Sequence, residues 1–116
     1  MEDFSCRASS LEGSAALISV SGELDLHTCE EFRTTLDEAR RARPRHLIFD
    51  LTEVTYIDST ALGVLLVTQR QVKEPLHLVV GQRHQRRLLR LTGLDEVFAV
   101  HETLDEAVHK ALERAA

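Results

Sequence analysis

The sequence contains no tryptophan, and aromatic residues make up only 4% of it. A core must therefore be built from Leu, Val, Ile and Ala. No apolar run approaches the ~20 residues that a membrane-spanning helix needs, so no membrane is expected as partner. The opening residues, Met-Glu-Asp-Phe-Ser-Cys, are acidic where a secretory signal would be basic. Cysteine is scarce, and Cys6 and Cys29 fit neither a C-x-x-C motif nor a zinc spacing. Free thiols in a reducing compartment follow, and the expected location is the cytoplasm. His27, His46, His77, His84, His101 and His109 are scattered, with no i, i+4 pair, so no metal site is expected. Neither G-x-x-x-x-G-K nor G-x-G-x-x-G is present, and with them goes the common cradle for a nucleotide or cofactor. No excess of positive charge exists either. The 14 basic residues are outnumbered by 19 acidic ones, for a net charge of −5, which argues against direct contact with nucleic acid.

What remains is a chain of 116 residues, 43% of them hydrophobic, which suits one folded domain over 1–116. Basic residues do gather locally, at Arg40, Arg41, Arg43 and Arg45 and again at Arg83, Arg86, Arg87 and Arg90. Solvated helix faces explain such groups; a docking patch for an acidic partner is the sharper possibility.

Along the chain, a weak extended segment at about 3–9 precedes the β-rich run Ala15–Val20, which ends at Gly22. Glu12-Gly13 between them suits a hairpin turn. Thr28 with Glu31 has capping-box spacing, and a helix runs from there to about Arg41, with Phe32, Leu36 and Ala39 on one face. Pro44 marks its stop. His46–Leu51 reads as a buried strand, and 54–57 as a loop or strand end. A helical pattern covers Ser59 to about Gln71. Leu76–Val80 is a further strand, 84–92 a helix stopped at Gly93, and Val97–Val100 a short strand. Thr103 with Glu106 caps a last helix, which carries Leu104, Ala107, Val108, Ala111 and Leu112 on one face. The order β, β, α, β, α, β, α, β, α implies an α/β fold with a mainly parallel sheet and an antiparallel hairpin at its start.

The chemistry concentrates in Tyr56-Ile57-Asp58-Ser59-Thr60-Ala61-Leu62-Gly63-Val64. A strand ends, Asp58 caps a helix, and Ser59 stands in its first turn, just beyond the carboxyl end of a parallel strand, where open α/β sheets bind their ligands. A helix N-terminus also favours a phosphate, through its free N–H groups and its dipole. Asp58, Ser59 and Thr60 are also ordinary capping residues, and taken alone these residues favour the capping role. The helix behind them is apolar all round. Ala61, Leu62, Leu65 and Leu66 are expected to face the sheet and Gly63, Val64, Val67 and Thr68 to form the other face, of which Gly63, Val64 and Val67 are expected to be part of a docking surface beside Ser59.

Asp58-Ser59-Thr60-Ala61-Leu62-Gly63, preceded by Phe49-Asp50-Leu51 and Tyr56-Ile57, resembles the phosphorylation-site motif of STAS domains, with bacterial anti-sigma factor antagonists as the nearest match. Three further stretches fall in the family's order: Gly22-Glu23-Leu24-Asp25 followed by Thr28, Gly93-Leu94-Asp95 with Val97-Phe98, and Leu104-Asp105-Glu106-Ala107. Ala61 departs from the Gly that many members carry. The resemblance implies a STAS-like single domain with about four helices and a partner switch. The unphosphorylated form would bind an anti-sigma factor that is itself a serine kinase and so free a sigma factor. Phosphorylation of Ser59, with Thr60 as second choice, would end that binding, and a PP2C-type phosphatase would reset it. Asp25 and Asp58 would surround the phosphosite, and Thr28, Gly63, Val64 and Val67 would meet the partner. Other STAS domains are non-phosphorylated scaffolds in lipid-transport or stress-signalling assemblies, which is the alternative. An enzyme with Ser59 as nucleophile would need a base, and His27 is the one histidine near that sheet edge. There is no G-x-S-x-G elbow, and an acid precedes Ser59; no catalytic role is expected.

Overall fold

Five strands and four helices form in the expected order in the computed structural model, which describes residues 3–12 and 14–115. Strands β1 (Ser5–Leu11) and β2 (Ala15–Leu24) pair antiparallel, with Ser5 opposite Ser21 and Leu11 opposite Ala15. The turn expected at Glu12-Gly13 lies partly outside the described residues. Strand β3 (His46–Ile57) runs parallel to β2, β4 (His77–Val79) parallel to β3, and β5 (Ala99–His101) parallel to β4. Spatial order equals chain order, β1-β2-β3-β4-β5.

Helices α1 (Cys29–Arg41), α2 (Ser59–Gln71) and α3 (Arg83–Leu91) make the crossovers, and α4 (Leu104–Ala115) follows β5. Every parallel step moves the same way along the sheet, so crossovers of one hand place all three connecting helices on one face. The packing agrees. Phe32 and Leu36 of α1, Ala61 and Leu65 of α2 and Leu89 of α3 share one core with Ile18, Phe49 and Leu78 of the sheet and with Val80 just past β4. Phe32 meets Phe49 edge-on at 5.9 Å, and full burial of each such side chain is worth about 1.5–3 kcal/mol. On the opposite face, Ala107 and Ala111 of α4 pack on Ala15, Ile48 and Val79.

Several boundaries differ from the sequence expectation. β3 does not stop at Leu51; it continues to Ile57 beside β2, with Leu24 opposite Ile57. The extension alternates buried Val54 with exposed Glu53 and Thr55, a half-buried strand pattern. The last strand begins at Ala99 and not at Val97, because Leu94–Glu96 forms a 3-10 turn closed by Val97 N–H donating to Leu94 O at 3.0 Å. Gly93 has φ 76°, the left-handed residue that a helix stop favours. Thr103 caps as expected, accepting from Glu106 N–H at 3.2 Å. Thr28 does not: its hydroxyl makes no capping bond to α1 and serves the preceding loop.

Candidate functional site

The end of β3 and the end of β2 meet at one corner, where Asp58 N–H donates to Leu24 O at 3.2 Å. Asp58 joins the two segments through its carboxylate. Oδ1 accepts from Ala61 N–H at 3.1 Å and caps α2, while Oδ2 accepts from Leu26 N–H at 3.1 Å in the β2–α1 loop. That loop is held from within as well. Asp25 Oδ1 accepts from His27 N–H at 2.9 Å and Thr28 N–H at 3.2 Å. Thr28 Oγ1 accepts from Asp25 N–H at 2.9 Å and donates to Glu23 O at 2.8 Å. A helix cap and an Asx-type turn thus fix the Asp58 carboxylate at the start of α2 and the Asp25 carboxylate in the adjoining β2–α1 loop.

Ser59 opens the helix and is exposed; Thr60 is half-buried. Among the described residues no hydrogen bond engages Ser59 Oγ. The negative field of this corner registers on the buried Cys29 at the start of α1. Burial pushes its thiol above the usual range, the Asp58 and Asp25 carboxylates push further, and Arg33 opposes them.

Beside Ser59 runs a groove of about 510 Å³ between α1 and α2. Arg33, Leu36, Asp37 and Arg40 line it from α1, and Ser59, Gly63, Val64, Val67 and Gln71 from α2. Arg40 Nη1 donates to Gln71 Oε1 at 2.6 Å across one end. Gly63 leaves a gap, since a Cβ there would meet nothing within 4 Å.

The division of α2 into faces needs correction. Val64 is 8% and Thr68 3% exposed, and with Ala61 and Leu65 they form the buried i, i+3, i+4, i+7 stripe. Leu62 and Leu66, expected beneath the helix, are half-exposed at its flank. The cause is α1, which lies alongside and covers the flank that carries Val64. Val67, at 52% exposure, is the large apolar residue of α2 left open to solvent. Val64 is therefore the floor of the groove and part of the core. Thr28, half-buried in the neighbouring loop, spends its hydroxyl on that loop's backbone. Leu26, 67% exposed, and Tyr56, 53% exposed, extend the apolar surface of this corner, and sequence periodicity gave no sign of them. Tyr56 belongs to the part of β3 that the sequence left open between loop and strand end, and Leu26 sits in a loop.

The model of the STAS domain family matches residues 10–107. The chain belongs to the STAS domain family. The anti-sigma-F factor antagonist RsfB of Mycobacterium tuberculosis is 30% identical over 95 residues, 80% of this chain and 78% of that protein. An anti-sigma-B factor antagonist of Staphylococcus aureus is 31% identical over 88 residues, 73% of this chain and 82% of that one. The crystal structure of an anti-sigma factor antagonist from Mycobacterium paratuberculosis superposes with a TM-score of 0.85 at 27% identity, covering 94% of each chain. Within this STAS domain the Ala61 methyl, which departs from the family's common Gly, is fully buried, and its N–H is the one that Asp58 caps. Among the described residues no helix is long and apolar enough to cross a membrane, and no group of His, Cys, Asp or Glu side chains is placed to hold a metal ion.

Proposed function

We propose that this STAS domain is an anti-sigma factor antagonist controlled by phosphorylation of Ser59. Unphosphorylated, it binds an anti-sigma factor that is also a serine kinase, and a sigma factor is released into the cytoplasm. The kinase transfers the γ-phosphoryl group of ATP to Ser59 Oγ, ADP leaves, and the complex separates. A PP2C-type phosphatase hydrolyses the phosphoester and restores the hydroxyl.

The observation that carries this reading is the exposed Ser59 hydroxyl, without a hydrogen bond among the described residues, at the first position of α2 and beside the Asp58 cap. The relatives' names point the same way. A phosphate adds about −1.5 to −2 charges at pH 7, next to Asp58 and across the loop junction from Asp25. The helix N-terminus accommodates it within the free domain. An interface that buries it beside those carboxylates pays several kcal/mol unless the charge is paired, and about 3 kcal/mol already weakens binding a hundredfold. The fold need not change. Val67 and Gly63 meet the partner, Val64 supports them from below, and Thr28 and Asp25 hold the adjoining loop in shape.

The test is a titration of the parent chain, Ser59→Ala and Ser59→Asp against the organism's anti-sigma factor kinases, each purified. Ser59→Ala is expected to bind as the parent does and to resist ATP, whereas Ser59→Asp binds at least tenfold more weakly. Equal affinity of the two variants refutes the switch. Peptide mass spectrometry after kinase and ATP should place the phosphate on Ser59. Phosphate on Thr60 would move the site, and none on either residue would favour a scaffold role.

A further inference from the structure

Helix α3 has no acidic residue among its nine positions and four arginines, Arg83, Arg86, Arg87 and Arg90. All 19 acidic residues of the chain lie elsewhere. Arg86 is committed to the fold, since its Nη1 donates to Val80 O at 2.9 Å. The other three are not. Among the described residues none of the four lies at ion-pair distance from a carboxylate, although acidic side chains are the majority. Arg83, Arg87 and Arg90 stand at i, i+4 and i+7, one stripe of the helix. His84, Leu88 and Leu91 form the next stripe, and all six are exposed, Leu91 to 70% and Leu88 to 41%. The inward face is made by Gln85 and Leu89.

This surface adjoins α2. Gln82 and Gln85 both donate to Val54 O, at 3.0 and 3.1 Å, which pins the start of α3 beside the end of β3 that leads to Ser59. Leu88 of α3 and Leu62 of α2 line one small apolar cavity. The arginine and leucine stripes therefore continue the exposed side of α2 on the flank away from α1.

We infer that the outer face of α3 is a second docking element, which receives an acidic, partly apolar surface of the protein that covers α2. The inference rests on the function proposed above and names the chemistry of the partner. Arginine suits the role: its guanidinium is weakly hydrated, pairs with carboxylates in two-point fashion, and is enriched at protein interfaces together with apolar anchors. A polyanion is the poorer fit. The stripe is one short helix, and the strongly acidic remainder of the chain repels an extended negative partner.

Arg83→Glu/Arg87→Glu/Arg90→Glu tests it by stopped-flow association with the anti-sigma factor kinase that binds the Ser59→Ala chain. Circular dichroism should show an unchanged fold, because among the described residues none of the three side chains has an ion-pair partner to lose. Association is expected to slow at least tenfold at low salt, about 50 mM, and the gap should close as salt screens the charges. Association rates equal to the parent's at low salt overturn the inference while leaving the proposed function intact. Should the parent chain and Ser59→Ala bind no kinase of the panel, the function fails and the arginine face with it. Titrations with phosphatidylserine vesicles and with a random DNA duplex complete the set. Parent binding to either at about 0.15 M salt that the reversal abolishes assigns the stripe to a polyanion and also overturns the acidic-protein partner.

Discussion

Two valines on one helix separate folding from docking. Val64 is 8% exposed within the core cluster, and Val67 is 52% exposed on the same helix. Val64→Asp removes a buried side chain worth about 1.5–3 kcal/mol and puts a carboxylate into the core cluster that holds Leu36 and Leu65, at the floor of the groove that Arg33 and Arg40 line. The burial of that charge costs several kcal/mol more. The sum, about 5 kcal/mol or above, is comparable to the whole stability of a domain this size, about 5–15 kcal/mol. Val67→Asp forfeits only partial burial, about 1 kcal/mol or less. Urea unfolding followed by circular dichroism reads the difference. With a slope of about 1–3 kcal/mol per molar urea, Val64→Asp should lower the midpoint by roughly 2 M or more, or leave no folded baseline. Val67→Asp should stay within roughly 0.5–1 M of the parent. The same Val67→Asp protein, still folded, should bind the anti-sigma factor kinase at least tenfold more weakly. A Val64→Asp chain that unfolds at the parent's midpoint would refute the packing of α1 against α2. A Val67→Asp chain of parental affinity would remove this flank of α2 from the interface.

Asp58→Ala deletes the acceptor of both Ala61 N–H and Leu26 N–H, at about 1–2 kcal/mol. Calorimetry should show a melting temperature several degrees lower, and kinase assays a slower phosphorylation of Ser59 as the β2–α1 loop loosens; a melting temperature unchanged by the substitution would mean the cap contributes nothing. Burial lowers the His101 imidazole below its ordinary pKa; Lys110 adds to the shift and Glu106 opposes it. The folded chain therefore holds His101 neutral where the unfolded chain is already protonated. This contribution to stability is whole above the ordinary value of about 6.5 and is lost as pH falls below it, toward the lower folded value. Melting curves from pH 7.5 to 5.5 should show that decline, and His101→Gln should make it shallower; an identical decline in the variant would mean other groups cause it.

Where a segment's structure depends on its own residues, the sequence was readable. The Asp58 cap and the helical pattern from Ser59 to Gln71, unbroken by proline, gave α2 its observed limits, and Gly93 marked the end of α3. The STAS motif around Ser59 likewise placed the hydroxyl at an exposed helix start. Features set by neighbours were not readable. Thr28 and Glu31 have the spacing of a capping box, yet Glu23 O and Asp25 N–H compete for the hydroxyl and win it. The far half of β3 reads as either a loop or a strand end, and only β2 running alongside it, with two register shifts, decides for the strand. Val64 and Leu66 are both apolar on a helix apolar all round, so the pattern could not say which flank α1 would cover. The exposure of Tyr56 and Leu26 depends on where helices are missing, and periodicity carries no such information.

The two glutamines on Val54 O have a consequence for self-association. β3 pairs with β4 from Ile48 to Asp50, so toward Ile57 its flank on that side carries no strand neighbour among the described residues. An open ladder of that kind recruits foreign strands. Here the carbonyl of Val54 is already occupied twice by side-chain amides, and α3 is held over the gap. The ribbon that presents Ser59 is thus blunted against edge-to-edge growth without a covering strand, and its carrier loop stays open to visitors that do not extend the sheet.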